Sequence, residues 1–545
     1  MRCNILIFFI LITLNSFVLK ADTSAISHAY NTPEKIYLNL DDNIYTTDRK
    51  IRFNGVVVNA NTHNTEGISE VIYVELINSE KEILDRKILK VTSGKYQGQL
   101  EIYKSYPSGL YLVRAYSNWN RNFDANFNHE KYVYLISTKE NTLKLKQPIE
   151  AIELIDSNGI KTNFSAKFNP SAIDRNHNNK PIDVIVSQDA KVSKQTIEYS
   201  KDLGYIIQQS LEKGVNAISL ELITSNEKSY KTSFSANNTI VIDFYPEGGI
   251  LRDKTSNKIA FRATDKMGNG RKVEGYITNN LGKIVSKFTS NPYGIGSFVI
   301  RDLDANKTYQ AHIQTDSIND EPIYSLPKIE LKGTVVNLTE NEDSFSIYMD
   351  SNVMMDESVG LKIMCRGKSF LSEQVDLKKG QAKILVPKKS LPKGVLKISM
   401  ENKAKTTTIE RFVFNGWSSL KGKVDLSSLE SEYDKRDKVS LILDWNNHEQ
   451  EYKNAHLSVL VKQKKVEEST AEPEESIASY LMLASDFNSK IESLNYYFED
   501  NKEKDLHNLM LTLAIGDYKY SEQNKLSNFK NEKQFEITGV INPLS

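Results

Sequence analysis

The chain has 545 residues, with 70 Lys+Arg set against 70 Asp+Glu. At about 150 residues per domain this is too long for one hydrophobic core and gives about four domains, more if they are small sandwiches. The charge balance removes the general electrostatic argument for nucleic acid or an anionic membrane surface as partner, so the reading is no nucleic acid.

Residues 1–21 are of a different material. Arg2 supplies a positive start, "ILIFFILITLNSFVL" follows, and Lys20 and Ala21 close the stretch. This reads as a secretory signal peptide. A membrane anchor is the alternative, but the run falls short of the ~20 residues needed to span a bilayer and contains Asn15 and Ser16. No second long apolar run follows, so no transmembrane span is expected after cleavage. Cys3 lies in the leader and ahead of its apolar run, which disfavours a lipid anchor there, and Cys365 is the only other cysteine, so the mature chain can form no internal disulfide. An exported chain of this size without disulfides fits a bacterial envelope protein, in the periplasm or at the outer membrane or cell surface.

From there on, apolar and polar residues alternate, and turn clusters arrive every 8 to 12 residues or so. In "KIYLNL" (Lys35 to Leu40), Ile36, Leu38 and Leu40 share one strand face while Tyr37 and Asn39 take the other. "VIYVELI" from Val71, "GLYLVRAY" from Gly109 and "VSLIL" from Val439 repeat the pattern. Turn-plus-strand units recur at Gly109, Gly214, Gly296 and Gly394, spaced 105, 82 and 98 residues apart, about one β-sandwich each. The fold class is therefore all-β: a tandem array of antiparallel sandwiches over 22–145, 146–242, 243–328 and 329–415. A fifth, partial β-domain is expected over 416–525, containing a charged loop at 462–476.

The period then changes. Helices are expected over 476–487 and 505–514, because Ile477, Tyr480, Leu481 and Ala484 follow helical spacing, with Ser476 as N-cap. The closing 526–545 looks like the first strand of a further, truncated β-domain.

The histidines are scattered with no H-E-x-x-H, and neither G-x-S-x-G nor a Walker loop occurs. Gly268 and Gly270 read as a hairpin turn, and "DLDANKTY" from Asp302 as a surface turn, because Lys307 stands where a calcium loop needs glycine. Cys365 on an alternating strand reads as a core cysteine. No catalytic residue, metal ligand or cofactor is assigned, and the reading is not an enzyme. The aromatic-rich "AYSNWNRNFDANF" offers Trp119, Arg121 and Phe123 as partner-binding anchors. The alternative is that Trp119 and Phe123 cap the core of the first domain. In "DFYPEGGILRD" (Asp243 to Asp253), Pro246 pre-sets a turn, and Gly248 and Gly249 supply the positive backbone angles it needs. Glu247 beside them has no catalytic neighbour in sequence, so the stretch reads as a structural joint, and Glu247→Gln is expected to do little.

Several motifs together carry a resemblance. "EKIYLNLDDNIYTTDRKIRFNGVVVNA" from Glu34, "YPSGLYLVRAYSNWNRNF" from Tyr106, "DFYPEGGILRD" and "LPKGVLKISMENKAKTTTIERFVFN" from Leu391 resemble the macroglobulin-type (MG) domains of exported Bacteroidetes proteins. Across nearly the whole mature chain, this implies macroglobulin/fibronectin-like sandwiches with a short helical segment near the C-terminus. A Gly-Cys-Gly-Glu-Gln thioester run is absent, so covalent protease trapping is not implied. Relatives of this type continue into a plug domain of TonB-dependent receptors. The expectation is a non-enzymatic envelope protein whose partner is an outer-membrane transporter or, as a macroglobulin-like inhibitor, a protease. A carbohydrate-binding sandwich using Trp119 and Trp417 as sugar platforms is the competing reading.

Overall fold

Alternation becomes strand wherever one face can leave water. In Gly109–Tyr116, Ile182–Gln188 and Ser358–Cys365 every second side chain is buried, and the intervening ones stay at least partly exposed. A computed structural model describes residues 32–123, 127–138, 147–157, 160–174, 177–212, 215, 217–235, 240–314, 322–403, 407–416, 423–427, 432–446, 475–520 and 528–533. The expected signal peptide, Gly214, Trp417, most of the expected charged loop and the closing residues 534–545 lie outside the described residues.

The first unit comprises β1 (Glu34–Leu40), β2 (Ile44–Thr46), β3 (Lys50–Asn59), β4 (Val71–Ile77), β5 (Ile83–Lys90), β6 (Lys95–Glu101), β7 (Gly109–Tyr116) and β8 (His129–Ile136). They form a β1-β3-β6 sheet facing a β2-β8-β7-β4-β5 sheet. The second unit has β9 (Ile149–Ser157), β10 (Ile160–Phe168), β11 (Ile182–Gln188), β12 (Lys191–Ile197), β13 (Tyr205–Ser210), β14 (Ala217–Ile223) and β15 (Ser229–Ser235).

The third unit has β16 (Val241–Pro246), β17 (Leu251–Arg252), β18 (Asn257–Thr264), β19 (Glu274–Asn279), β20 (Ile284–Thr289), β21 (Ile295–Ile300), β22 (Tyr309–Ile313) and β23 (Ile323–Ser325), with β24 (Ile329–Glu330) pairing β17 in parallel. The fourth has β25 (Thr334–Glu340), β26 (Ser344–Ser351), β27 (Ser358–Cys365), β28 (Lys368–Asp376), β29 (Gln381–Pro387), β30 (Gly394–Glu401) and β31 (Thr407–Asn415). If the short β2, β17 and β24 are set aside, all four units share one topology: strands one, two and five form one sheet, and four, three, six and seven the other. Each encloses its own apolar core, and Cys365 is fully buried in the fourth. Burial pushes its thiol up to about 11. The protein is an array of antiparallel β-sandwiches.

Past the hairpin of β32 (Lys423–Ser427) and β33 (Ile442–Asn446) come α1 (Ile477–Met482) and α2 (Glu503–Thr512). Ser476 caps α1 in a reciprocal pair with Ser479. The helix expected to reach 487 stops at Met482, and Ala484–Asp486 turns as a 3-10 helix. Leu483, Phe487, Tyr497, Leu506 and Met510 are buried against Val395, Phe412 and Phe414 of the fourth unit and Ile295 of the third. Tyr480 and Leu481 pack on Tyr37 and Val58 of the first. The outer face of β1 is therefore covered, which is why Tyr37, expected on the opposite face from Ile36 and Leu38, is also buried.

The Pro246–Gly249 turn closes with Gly249 N–H donating to Pro246 O at 2.9 Å, and of the two glycines only Gly249, φ +81, takes the positive angle expected of both; Gly248 is required by its close approach to Val335. It is a joint, but Glu247 is not passive in it. Its carboxylate is buried against the Arg411 guanidinium and accepts from Leu338 N–H at 3.2 Å, so the third unit inserts a charge into the fourth. This overturns the expectation that Glu247→Gln does little. Breaking such a pair leaves a buried charge uncompensated: Glu247→Ala should cost about 3–5 kcal/mol, and the shape-conserving Glu247→Gln about 1–3 kcal/mol. A Cβ on Gly248 would stand 2.9 Å from Val335 Cβ, so Gly248→Val should also cost about 1–3 kcal/mol. Denaturant-unfolding midpoints check all three.

Histidines sit at these joints. Burial is the largest influence on His63, His129 and His507 and holds each below the ordinary imidazole value, His507 at about 3. Folded, they stay neutral where the unfolded chain takes up protons. Stability should be intact above about pH 6.5 and fall as the pH is lowered from there toward the folded values. A melting-temperature series from about pH 7.5 to pH 5 reads this out, and a flat profile would contradict it.

Candidate functional site: a chain-binding face on the first unit

Of the sequence-predicted anchors, Trp119 and Arg121 fall in one 3-10 turn, Trp119–Asn122, between β7 and β8, and Phe123 follows it as the C-cap. Trp119 is only 8% exposed, and its Nε1–H donates to Thr32 O at 2.8 Å. Its ring meets Phe123 edge-on at 5.6 Å, and Phe123 meets Phe127 at 6.1 Å. Trp119 thus closes the end of the first unit and presents no open sugar platform. Arg121 alone of the three reaches outward: its guanidinium lies over the Phe529 ring at 3.9 Å.

Phe529 belongs to the segment 528–533, which runs along this face. Asn122 grips it with three hydrogen bonds, accepting from the Asn528 and Phe529 N–H groups at 2.8 Å each and donating to Phe529 O at 2.8 Å. Asn118 donates to Lys530 O at 3.2 Å, and Glu70 N–H donates to Glu532 O at 2.7 Å. In the other direction, Asn531 Nδ2 donates to Gly67 O and Lys533 Nζ to Ile68 O. The Tyr73 hydroxyl donates to Glu532 Oε1 at 3.1 Å, and burial first, then this carboxylate, pushes its phenol upward. Asn120, buried between them, donates to Glu34 O and accepts from Glu34 N–H, fixing the turn to β1.

Most of these bonds read the peptide backbone, so the face can hold an extended chain with little demand on sequence beyond an aromatic ring for Arg121. Sequence reasoning found the turn but missed Asn118, Asn122, Glu70 and Tyr73. The Asn-Trp-Asn-Arg-Asn spacing was the available signal, since alternate asparagines offer amides that can pair with another backbone.

A second concavity, about 580 Å³, opens beside Gly248 and Gly249 at the joint of the third and fourth units, with Ile250, Gly333, Val353 and Ile409 in its lining. Glu357 and Lys403 stand at its edge, 3.7 Å apart. No histidine or cysteine is among its described lining residues. Among the described residues, no group of three or more His, Cys, Asp or Glu is placed to hold a metal ion, and no helix is long and apolar enough to cross a membrane.

Neither protein-family models nor curated proteins give a match to this chain. Solved structures similar to it include native Escherichia coli alpha-2-macroglobulin (10% identity, TM-score 0.27, 73% of this chain and 31% of that one). Salmonella alpha-2-macroglobulin reacted with methylamine gives 10% identity and a TM-score of 0.28, over 74% of this chain and 31% of that one. A tetra-tandem repeat from the extending region of a large adhesion protein gives 15% identity and a TM-score of 0.15, over 71% of this chain and 99% of that one. The chain thus spans less than a third of the length of these macroglobulins.

Asn122→Ala should forfeit about 0.5–1.5 kcal/mol per lost hydrogen bond and Arg121→Ala about 0.5–1 kcal/mol. Amide hydrogen exchange at 528–533 should accelerate in both, with exchange in β10 and β11 unchanged. Unchanged exchange at 528–533 would show that the segment is held by other means.

Proposed function

We propose that the chain is a non-enzymatic cell-envelope protein of macroglobulin-like domains. It acts by protein–protein interaction, as a scaffold or module associated with TonB-dependent outer-membrane transport. The observation that carries the reading is the first unit's hold on segment 528–533 mostly through that segment's main-chain groups: a surface made for peptide backbone is a surface made for protein. The sheet edges fit the same role. β5, β12, β20 and β28 are edge strands carrying Lys87, Lys191, Lys287 and Lys368, charges that discourage indiscriminate strand pairing while leaving the edge open to a selected partner.

A pull-down from envelope extracts with the full chain as bait tests this reading. It should recover a TonB-dependent porin, and less of it with bait carrying Asn122→Ala. Recovery of a protease in its place would transfer the protein to the macroglobulin-like inhibitors that lack a thioester. Turnover of substrate by the purified chain would overturn the non-enzymatic assignment.

A further inference from the structure

With one cysteine beyond the leader, the units cannot be stapled by a disulfide. Another covalent link is set up where β1 meets the helical segment. Lys35 and Asp486, 451 positions apart, lie in the protein interior at 1% and 0% side-chain exposure, with Nζ 2.5 Å from Oδ1. Nζ also lies 3.0 Å from His63 Nε2 and donates to Leu481 O at 3.0 Å. The Tyr520 hydroxyl donates to the same Oδ1 at 3.1 Å. Asp486 Oδ2 and His63 Nδ1 are buried without a hydrogen-bond partner among the described residues. His63 holds a left-handed backbone conformation, φ 58, unusual for a residue with a side chain.

The geometry points to an intramolecular amide bond between Lys35 Nζ and Asp486 Cγ, joining the first unit to the helical segment. The step balances without a cofactor or oxidant. A proton passes from the ammonium to the carboxylate, giving a neutral amine and a carboxylic acid. The amine lone pair attacks Cγ, and the Tyr520 hydroxyl stabilises the negative charge that develops on Oδ1. His63 Nε2 takes a proton from the attacking nitrogen and returns one to the Oδ2 hydroxyl, which departs as water. One C–N bond forms, one C–O bond breaks, and nothing is oxidised.

The surroundings favour each part. Burial first, with the nearby Arg366 acting the same way, lowers Lys35 to about 8 against the opposing pull of Asp486, so the free amine is accessible. Arg366 itself donates to Asn61 O and Lys393 O. Burial, Lys35 and Arg366 together hold His63 below its ordinary value, so its ring is unprotonated before the step, and neutralisation of Lys35 in the first proton transfer removes one of the charges that oppose its taking up a proton. The product replaces two buried charges by a neutral amide, relieving their desolvation.

The test is the mass of the full chain purified from cells and denatured, followed by a tryptic map. The expected result is a mass one water below that of the sequence with the same N-terminus, and a branched peptide joining the segments that carry Lys35 and Asp486. The sequence mass, with both residues recovered in linear peptides, would show a buried ion pair only and overturn the proposal. Asp486→Asn should reach the same product mass by losing ammonia, and Lys35→Arg should give only linear peptides. Tyr520→Phe and His63→Ala should each slow linkage by about 10²-fold or more. If a variant fails to fold, the map of the unaltered chain still decides.

Discussion

Between 475 and 520 the chain carries apolar side chains with no sheet of their own to cover them. Leu483, Phe487, Tyr497, Leu506, Leu509 and Met510 leave water only by packing on β21, β30 and β31, while Tyr480 and Leu481 do so on β1 and β3. At about 1.5–3 kcal/mol for each fully buried large side chain, the six against β21, β30 and β31 provide on the order of 10 kcal/mol as an upper estimate. This burial sets the shape of the array. Strung sandwiches would form an open rod, but here units distant in sequence are drawn onto one helical wedge, and the first and fourth come within hydrogen-bond distance at Arg366 and Asn61. No residue of the second unit belongs to either cluster among the described residues, so that unit spans between its neighbours outside the hub.

What was legible in the sequence is what depends on near neighbours. Alternation in β7, β11 and β27 reports a half-buried strand because the two faces of one sheet differ, and period two follows from backbone geometry alone. The Ser476 cap was legible for the same reason. The end of α1 was not. Tyr480, Leu481 and Ala484 keep helical spacing, but Asp486 has to turn inward to meet Lys35 across 451 positions, and that demand is invisible locally. Glu247 was misjudged for its effect because its counter-ion lies 164 residues away. On the first unit's face, composition pointed to the right turn and to Arg121, which lies over Phe529; Trp119 went to the interior, and Asn118 and Asn122, which composition did not single out, hold the segment's backbone.

The joints between units add buried ion pairs to the apolar packing that they share with the unit cores. Inside each sandwich the clusters are apolar, whereas Glu247 with Arg411, Arg252 with Asp350 and Lys35 with Asp486 each join different parts of the array. Ion pairs of this kind add little to stability when made and cost several kcal/mol when one partner is missing. That asymmetry suits an array of four units with one topology. Apolar faces of similar sandwiches are nearly interchangeable, whereas a misdocked unit would leave Arg411 or Lys35 buried without its carboxylate, so the charges specify which unit meets which.

The same reasoning bears on function. Titratable groups displaced from their ordinary values often mark active sites. Here Lys35, His63, Lys519, Tyr518 and Tyr520 are all displaced, with burial the first cause in each, and they gather around Asp486 at the joint. None of them lines the cleft beside Gly248. A substrate needs access, and Lys35 and Asp486 have almost no exposed surface, so whatever chemistry this cluster performs acts on the chain itself. The surface that does face outward on the first unit reads backbone. The perturbed groups thus lie where parts of the array meet, while the groups on the first unit's outer side hold the backbone of segment 528–533.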